Sequence, residues 1–91
     1  MRITYKDEQK MKVKELLKNN GGKEYIVIAG RAILWEGFAE KIIKSASNTL
    51  LNAEVAETEK WGSNKDALYV DDLNNEEVME VLQSYAKGVL E

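Results

Sequence analysis

Apolar and polar positions alternate where the chain begins, with Met1, Ile3 and Tyr5 set against Arg2 and Thr4. That period predicts a short strand with one buried face. From Asp7 to Asn20 the spacing becomes helical. Val13, Leu16 and Leu17 share a face, Met11 lies to one side of it, and Lys10, Lys12, Lys14 and Lys18 fall mostly on the others. Asn19-Asn20-Gly21-Gly22 predicts the end of this helix, with glycine supplying the left-handed terminus. Tyr25-Ile26-Val27-Ile28-Ala29 is apolar on both faces, as in a central strand of a parallel sheet. After Gly30, the positions Trp35, Phe38, Ala39, Ile42, Ala46 and Leu50 follow three-to-four spacing and predict a long helix from Arg31 to about Leu51.

Two further runs, Ala53 to Trp61 and Ala67 to Asp71, predict a hairpin around Gly62-Ser63-Asn64-Lys65-Asp66. Its first arm carries Glu54, Glu57, Glu59 and Lys60, which reads as a solvated edge strand. The last helix has a complete start signal. Asn74 is placed to cap it, Glu77 completes a capping box, and Leu73 and Val78 form a hydrophobic staple. Val78, Val81, Leu82, Tyr85 and Val89 make its apolar stripe.

The expected architecture is therefore α/β, a two-layer sandwich in the order β-α-β-α-β-β-α. It has a mixed four-stranded sheet with the helices packed on it, the first three strands being parallel through right-handed crossovers. A doubly wound order is the alternative, and the side of the sheet taken by the last helix is left open.

Composition narrows the function. The chain of 91 residues, read as a single domain over 1–91, has no cysteine and no histidine. That removes disulfides, thiolate metal sites and the commonest general base. The serines Ser45, Ser47, Ser63 and Ser84 have no histidine to activate them, so no enzymatic activity and no cofactor are expected. The longest apolar run, Tyr25 to Ala29, is far short of the ~20 residues of a membrane helix. No membrane association is expected, and a cytoplasmic location is. Net charge is −3, but residues 1–50 carry ten Lys or Arg against six Asp or Glu, +4, and residues 51–91 carry three against ten, −7. A basic half beside an acidic half fits either a charged partner or self-association, or charges scattered over solvated faces with no partner behind the split.

Four features invite a chemical reading. Gly30-Arg31 places a cation at the expected start of the second helix, against the helix dipole, where free amides and a guanidinium suit a phosphate or carboxylate. Pairing of Arg31 with a nearby carboxylate is the plainer account. Lys10, Lys14 and Lys18 recur every four residues and present either a phosphate-tracking stripe or an ordinary solvated face. Asp71, Asp72, Glu76 and Glu77 gather at the start of the last helix, where capping explains the glutamates and no metal is expected. Trp35, Phe38, Tyr25 and Tyr85 read as core.

The sequence Gly30-Arg31-Ala32-Ile33 after a strand, with the β-α-β-α-β-β order through Asp71, resembles the Alba family of chromatin and RNA-binding proteins. The resemblance implies RNA or DNA binding; the candidate contact residues in the basic first half are Gly30 and Arg31 from the shared motif, with Lys10, Lys14 and Lys18 added from their own spacing. The chain departs from that family in its acidic balance and in Glu57 and Glu59 on the hairpin. The leading expectation is a small non-catalytic, intracellular protein-interaction module. The alternative is an Alba-like nucleic-acid-binding protein.

Overall fold

The computed structural model describes residues 2–90, with side chains through Lys87. In chain order it contains β1 (Arg2–Thr4), a 3₁₀ turn (Asp7–Gln9), β2 (Met11–Lys12), α1 (Val13–Lys18), β3 (Glu24–Ala29) and β4 (Ala32–Phe38). There follow α2 (Ala39–Ser45), α3 (Asn48–Leu51), β5 (Glu54–Gly62), β6 (Lys65–Val70) and α4 (Asn75–Leu90). The strands form one six-stranded mixed sheet in the order β1-β5-β6-β3-β4, with β2 pairing the same strand as β1. The mixed α/β class agrees with the sequence reading; the four-strand count and the element order do not.

The largest departure follows Gly30. Ala29 pairs with Ala32, so Gly30 and Arg31 form a two-residue turn joining antiparallel β3 and β4. Gly30 has φ +61, and no other residue of the turn has positive φ. Glycine at the first central position is the signature of a hairpin turn matched to strand twist. The expected long helix is thus a strand followed by two short helices. At the far end of β4, Gly37 has φ +153, backbone that side-chain-bearing residues rarely adopt.

The first helix is also shorter than expected. β1 and β2 both pair antiparallel with β5, at residues 57–59 and 54–55 respectively. They are two ends of one edge strand, interrupted by the 3₁₀ turn. Only Val13–Lys18 remains helical, burying Val13 and Leu17 completely. Asn19 closes it in right-handed conformation, not glycine in left-handed. The side-chain amides of Asn19 and Asn20 donate to the carbonyls of Glu15 and Leu16, which meets the acceptors a helix end leaves free.

β5 is not the expected edge strand, since it lies between β1/β2 and β6. The edges are β4 and the β1/β2 pair. Among β1, β3, β5 and β6 the only parallel neighbours are β3 and β6, so the expected three parallel strands are absent. The β5–β6 hairpin and the β3 central position stand as expected.

All four helices cover one face of the sheet. There Tyr25, Val27, Leu34, Trp35, Val55, Leu68 and Val70 pack with Val13, Leu17, Ala39, Ile42, Leu50 and Val81. α4 joins this layer through an edge-to-face contact of Tyr85 with Trp35, centroids 4.9 Å apart. The Asn74 carboxamide accepts from the Glu77 amide at 2.9 Å, and the Glu77 carboxylate accepts from the Asn74 amide at 3.1 Å. The expected capping box is therefore formed, and Leu73 and Val78 of the staple pack on the core. Val89, the last expected member of the stripe, lies outside the described side chains.

Candidate interaction surface

Among the described residues, the opposite face of the sheet carries no helix. Register assigns it Arg2 and Thr4 from β1, Glu57 and Glu59 from β5, and Lys65, Ala67 and Tyr69 from β6. It also assigns Glu24, Ile26 and Ile28 from β3 and Ile33, Glu36 and Phe38 from β4. Its centre is a small apolar cluster of Ile26, Ile28 and Ala67, with Tyr69 against it. Toward the β4 edge Ile33 and Phe38 stand 54% and 45% exposed. Phe38, expected in the core, is thus a surface residue, whereas Trp35 and Tyr25 are buried as expected.

Beside this cluster three large side chains are held by two glutamates. The Trp61 indole donates to Glu59 Oε1 at 2.8 Å, and the Tyr69 hydroxyl donates to the same oxygen at 2.9 Å. The Arg2 guanidinium ion-pairs with Glu57 and lies over the Tyr69 ring, 4.1 Å from its centroid. The hydrogen bonds from Trp61 and then Tyr69 hold the Glu59 carboxyl below its usual range. The bond to Glu59 pushes the Tyr69 phenol up. Trp61 remains 48% exposed. Two aromatics and an arginine are therefore fixed in place, with Trp61 and Arg2 exposed and Tyr69 half-buried.

At the other end of the face, Lys65 Nζ lies 3.5 Å from Glu36 and 3.9 Å from Glu24. The positions named above carry Glu24, Glu36, Glu57 and Glu59 against Arg2 and Lys65, a net charge of −2.

The residues singled out from sequence are dispersed. Gly30 lines a shallow depression with Val70, Asp71 and Asn75. Arg31 is exposed on the hairpin turn, so the helix N-terminus on which its anion-binding reading rests does not exist. Lys10 precedes α1 and does not share its face. It pairs with Asp7 at 3.2 Å and Asp71 at 3.6 Å, and the bond to Asp7 raises its pKa. Lys14 and Lys18 alone stay together, rimming a groove floored by Ile43 and Leu51.

The acidic residues near α4 are used structurally. Asp72 accepts from the Glu54 amide at 3.1 and 3.2 Å, and Glu77 serves the cap. Among the described residues no group of three or more acidic side chains is arranged to hold a metal ion. Lys23 and Asp66 pair at 2.8 Å beside Tyr25, and burial, then the Asp66 charge, pushes the Tyr25 phenol up to about 12. No described helix is long and apolar enough to cross a membrane.

Sequence reasoning missed the Trp61–Glu59–Tyr69–Arg2 group. Its only local signal was the alternation of Glu57, Glu59 and Trp61 on one side of β5. Compared with known proteins, the chain matches no family model, no curated protein and no solved structure.

Proposed function

We propose that this protein is a non-catalytic protein-interaction module whose docking surface is the helix-free face of the sheet. The carrying observation is the Arg2–Tyr69–Trp61 group, held by Glu57 and Glu59, in which Arg2 and Trp61 are exposed and Tyr69 is half-buried. Trp, Tyr and Arg are the side chains most enriched among residues that dominate binding energy. Fixing them before binding lowers the ordering entropy that association costs. The partner that fits is a protein segment with apolar side chains for Ile33, Phe38 and Trp61 and basic ones for the surplus glutamates. Complementary charge of this kind also orients the encounter.

Selection of a random peptide library against the full chain tests this. Binders enriched in basic and apolar residues are expected, and Trp61→Ala or Ile33→Glu should weaken them at least tenfold. Lys14→Glu, on the helical side, should leave them unchanged. Selected peptides indifferent to Trp61 and Ile33 would defeat the proposal.

Nucleic-acid binding by the basic half, the Alba-like reading, is the second proposal. It is supported by Lys14 and Lys18, adjacent on α1 and, among the described residues, outside the ion pairs.

A further inference from the structure

The helical side of the molecule carries two surfaces of opposite charge and similar spacing. The first is the groove between α1 and the α2–α3 segment. Lys14 and Lys18 stand on its rim with Glu15, above Ile43 and Leu51. Residues four apart on a helix share a face and lie about 6 Å apart along its axis. Ile43 is 36% exposed, so the floor of the groove is open to solvent.

The second surface is the outer face of α4. Glu76, Met79, Glu80 and Gln83 line it together with Asn75. The inner face of the same helix is taken up by Val78, Val81, Leu82 and Tyr85, which pack on the core. Glu76 and Glu80 are again four apart, with Met79 between them. Met79 is 55% exposed, the highest value among the large exposed hydrophobics. Glu80 accepts a hydrogen bond from the Thr49 hydroxyl at 3.0 Å, which steadies it on the surface.

We infer that the protein self-associates by seating the outer face of α4 of one copy in the α1–α2 groove of a second. Met79 enters over Ile43 and Leu51, and Glu76 and Glu80 meet Lys14 and Lys18. Methionine is unbranched and adapts to irregular apolar gaps. The lysine stems cover apolar surface while their ammonium groups stay at the rim. Whole-chain charge favours this arrangement, since the groove's lysines belong to the half of net +4 and α4 to the half of net −7. A groove meeting a groove, or α4 meeting α4, opposes like charges. One helix face in one groove falls at the low end of interface sizes, below ~1,200 Å². The association is therefore weak, concentration-dependent and sensitive to salt. It uses neither Ile33 nor Trp61 and stands apart from the sheet-face proposal.

Sedimentation of the full chain over a wide concentration range is the test. At low salt the average mass should rise with concentration, and at ~0.5 M salt, where screening acts within a few ångströms, it should return to the monomer. Lys14→Glu/Lys18→Glu and Glu76→Lys/Glu80→Lys should each stay monomeric alone, while a one-to-one mixture should associate again. Glu76 lies in the first turn of α4, so Glu80→Lys/Gln83→Lys serves as a companion variant clear of the helix start. Circular dichroism confirms that each variant is folded. A parent that is monomeric throughout, a charge-reversed variant that associates like the parent, or a mixture that stays monomeric overturns the inference. Loss of association in Ile33→Glu/Trp61→Ala, with the charge reversals silent, would assign the contact to the sheet face instead and equally overturn it.

Discussion

Trp61 donates its indole N–H to Glu59 Oε1 at 2.8 Å, on an oxygen that also accepts from Tyr69. Both bonds favour the ionised carboxylate, so its pKa in the folded protein lies below the unfolded value of about 4.3. A depressed carboxyl pKa stabilises the fold fully above the unfolded value, and that contribution is lost as pH falls through the folded one. The Trp61 indole N–H resonance should therefore shift on acidification, with a midpoint below about 4.3. Glu59→Gln should abolish that titration while leaving the buried Trp35 resonance unmoved. A midpoint at or above the ordinary value, or one that persists in Glu59→Gln, would show that this carboxylate does not hold Trp61.

Gly30 distinguishes a hairpin from a helix start. At φ +61 it occupies the first central position of the β3–β4 turn. Gly30→Ala places a Cβ where φ is positive and should destabilise by more than ~1 kcal/mol. Arg31→Ala, at an exposed turn position, should stay within ~0.5 kcal/mol. Urea denaturation of the two variants measures both. A Gly30→Ala variant as stable as the parent would be inconsistent with the turn.

The contrast between these neighbours also shows what the sequence revealed and what it concealed. β3, the β5–β6 hairpin and the start of α4 were legible because each rests on local chemistry: a β-branched run, a turn cluster, a capping box. β4 was hidden by a bulge. Val27 pairs with Trp35 but Ile28 with Ile33, leaving Leu34 as an extra residue. Leu34 and Trp35 both join the core in succession. That breaks the two-residue period and lets Trp35, Phe38, Ala39 and Ile42 mimic a helical stripe across a strand–helix junction. The interaction surface was concealed for a different reason. Arg2 and Glu57 are 55 residues apart, and their pairing exists only once β1 adds to β5. On sequence alone Glu57 and Glu59 read as solvating charges, whereas in the fold they position Arg2, Tyr69 and Trp61.

The reciprocal bonds between Asn74 and Glu77 satisfy two amide donors at the start of α4. Asn74→Ala removes the acceptor for the Glu77 amide and should cost about 1 kcal/mol in thermal or denaturant unfolding. Asn74→Asp keeps an acceptor and adds a charge the helix dipole favours, so it should lie within a few tenths of a kcal/mol of the parent. If both variants unfold like the parent, the cap contributes nothing to stability.

The positions of the lysines set a salt dependence by which the two functional proposals can be told apart. Nucleic-acid binding by the basic half needs several cations facing one phosphate backbone. Lys10 is engaged by Asp7 and Asp71 instead, and Arg31 stands on the β3–β4 turn, leaving Lys14 and Lys18 as an adjacent pair. On duplex DNA the logarithm of affinity falls with the logarithm of salt at about −0.9 per phosphate neutralised, so a two-lysine contact gives a slope no steeper than about −2. Binding that shallow should be undetectable at physiological salt. Replacing Glu76, Glu77 and Glu80 with glutamine removes three repelling charges. Once circular dichroism shows the variant folded, it should gain retention on RNA or DNA only at low salt, and Lys14→Gln/Lys18→Gln should cancel the gain. Fluorescence anisotropy with labelled oligonucleotides reads all of these values. A parent protein that binds at physiological salt with a slope much steeper than about −2, and loses that binding in Lys14→Gln/Lys18→Gln, would put the nucleic-acid reading ahead of the protein-interaction one.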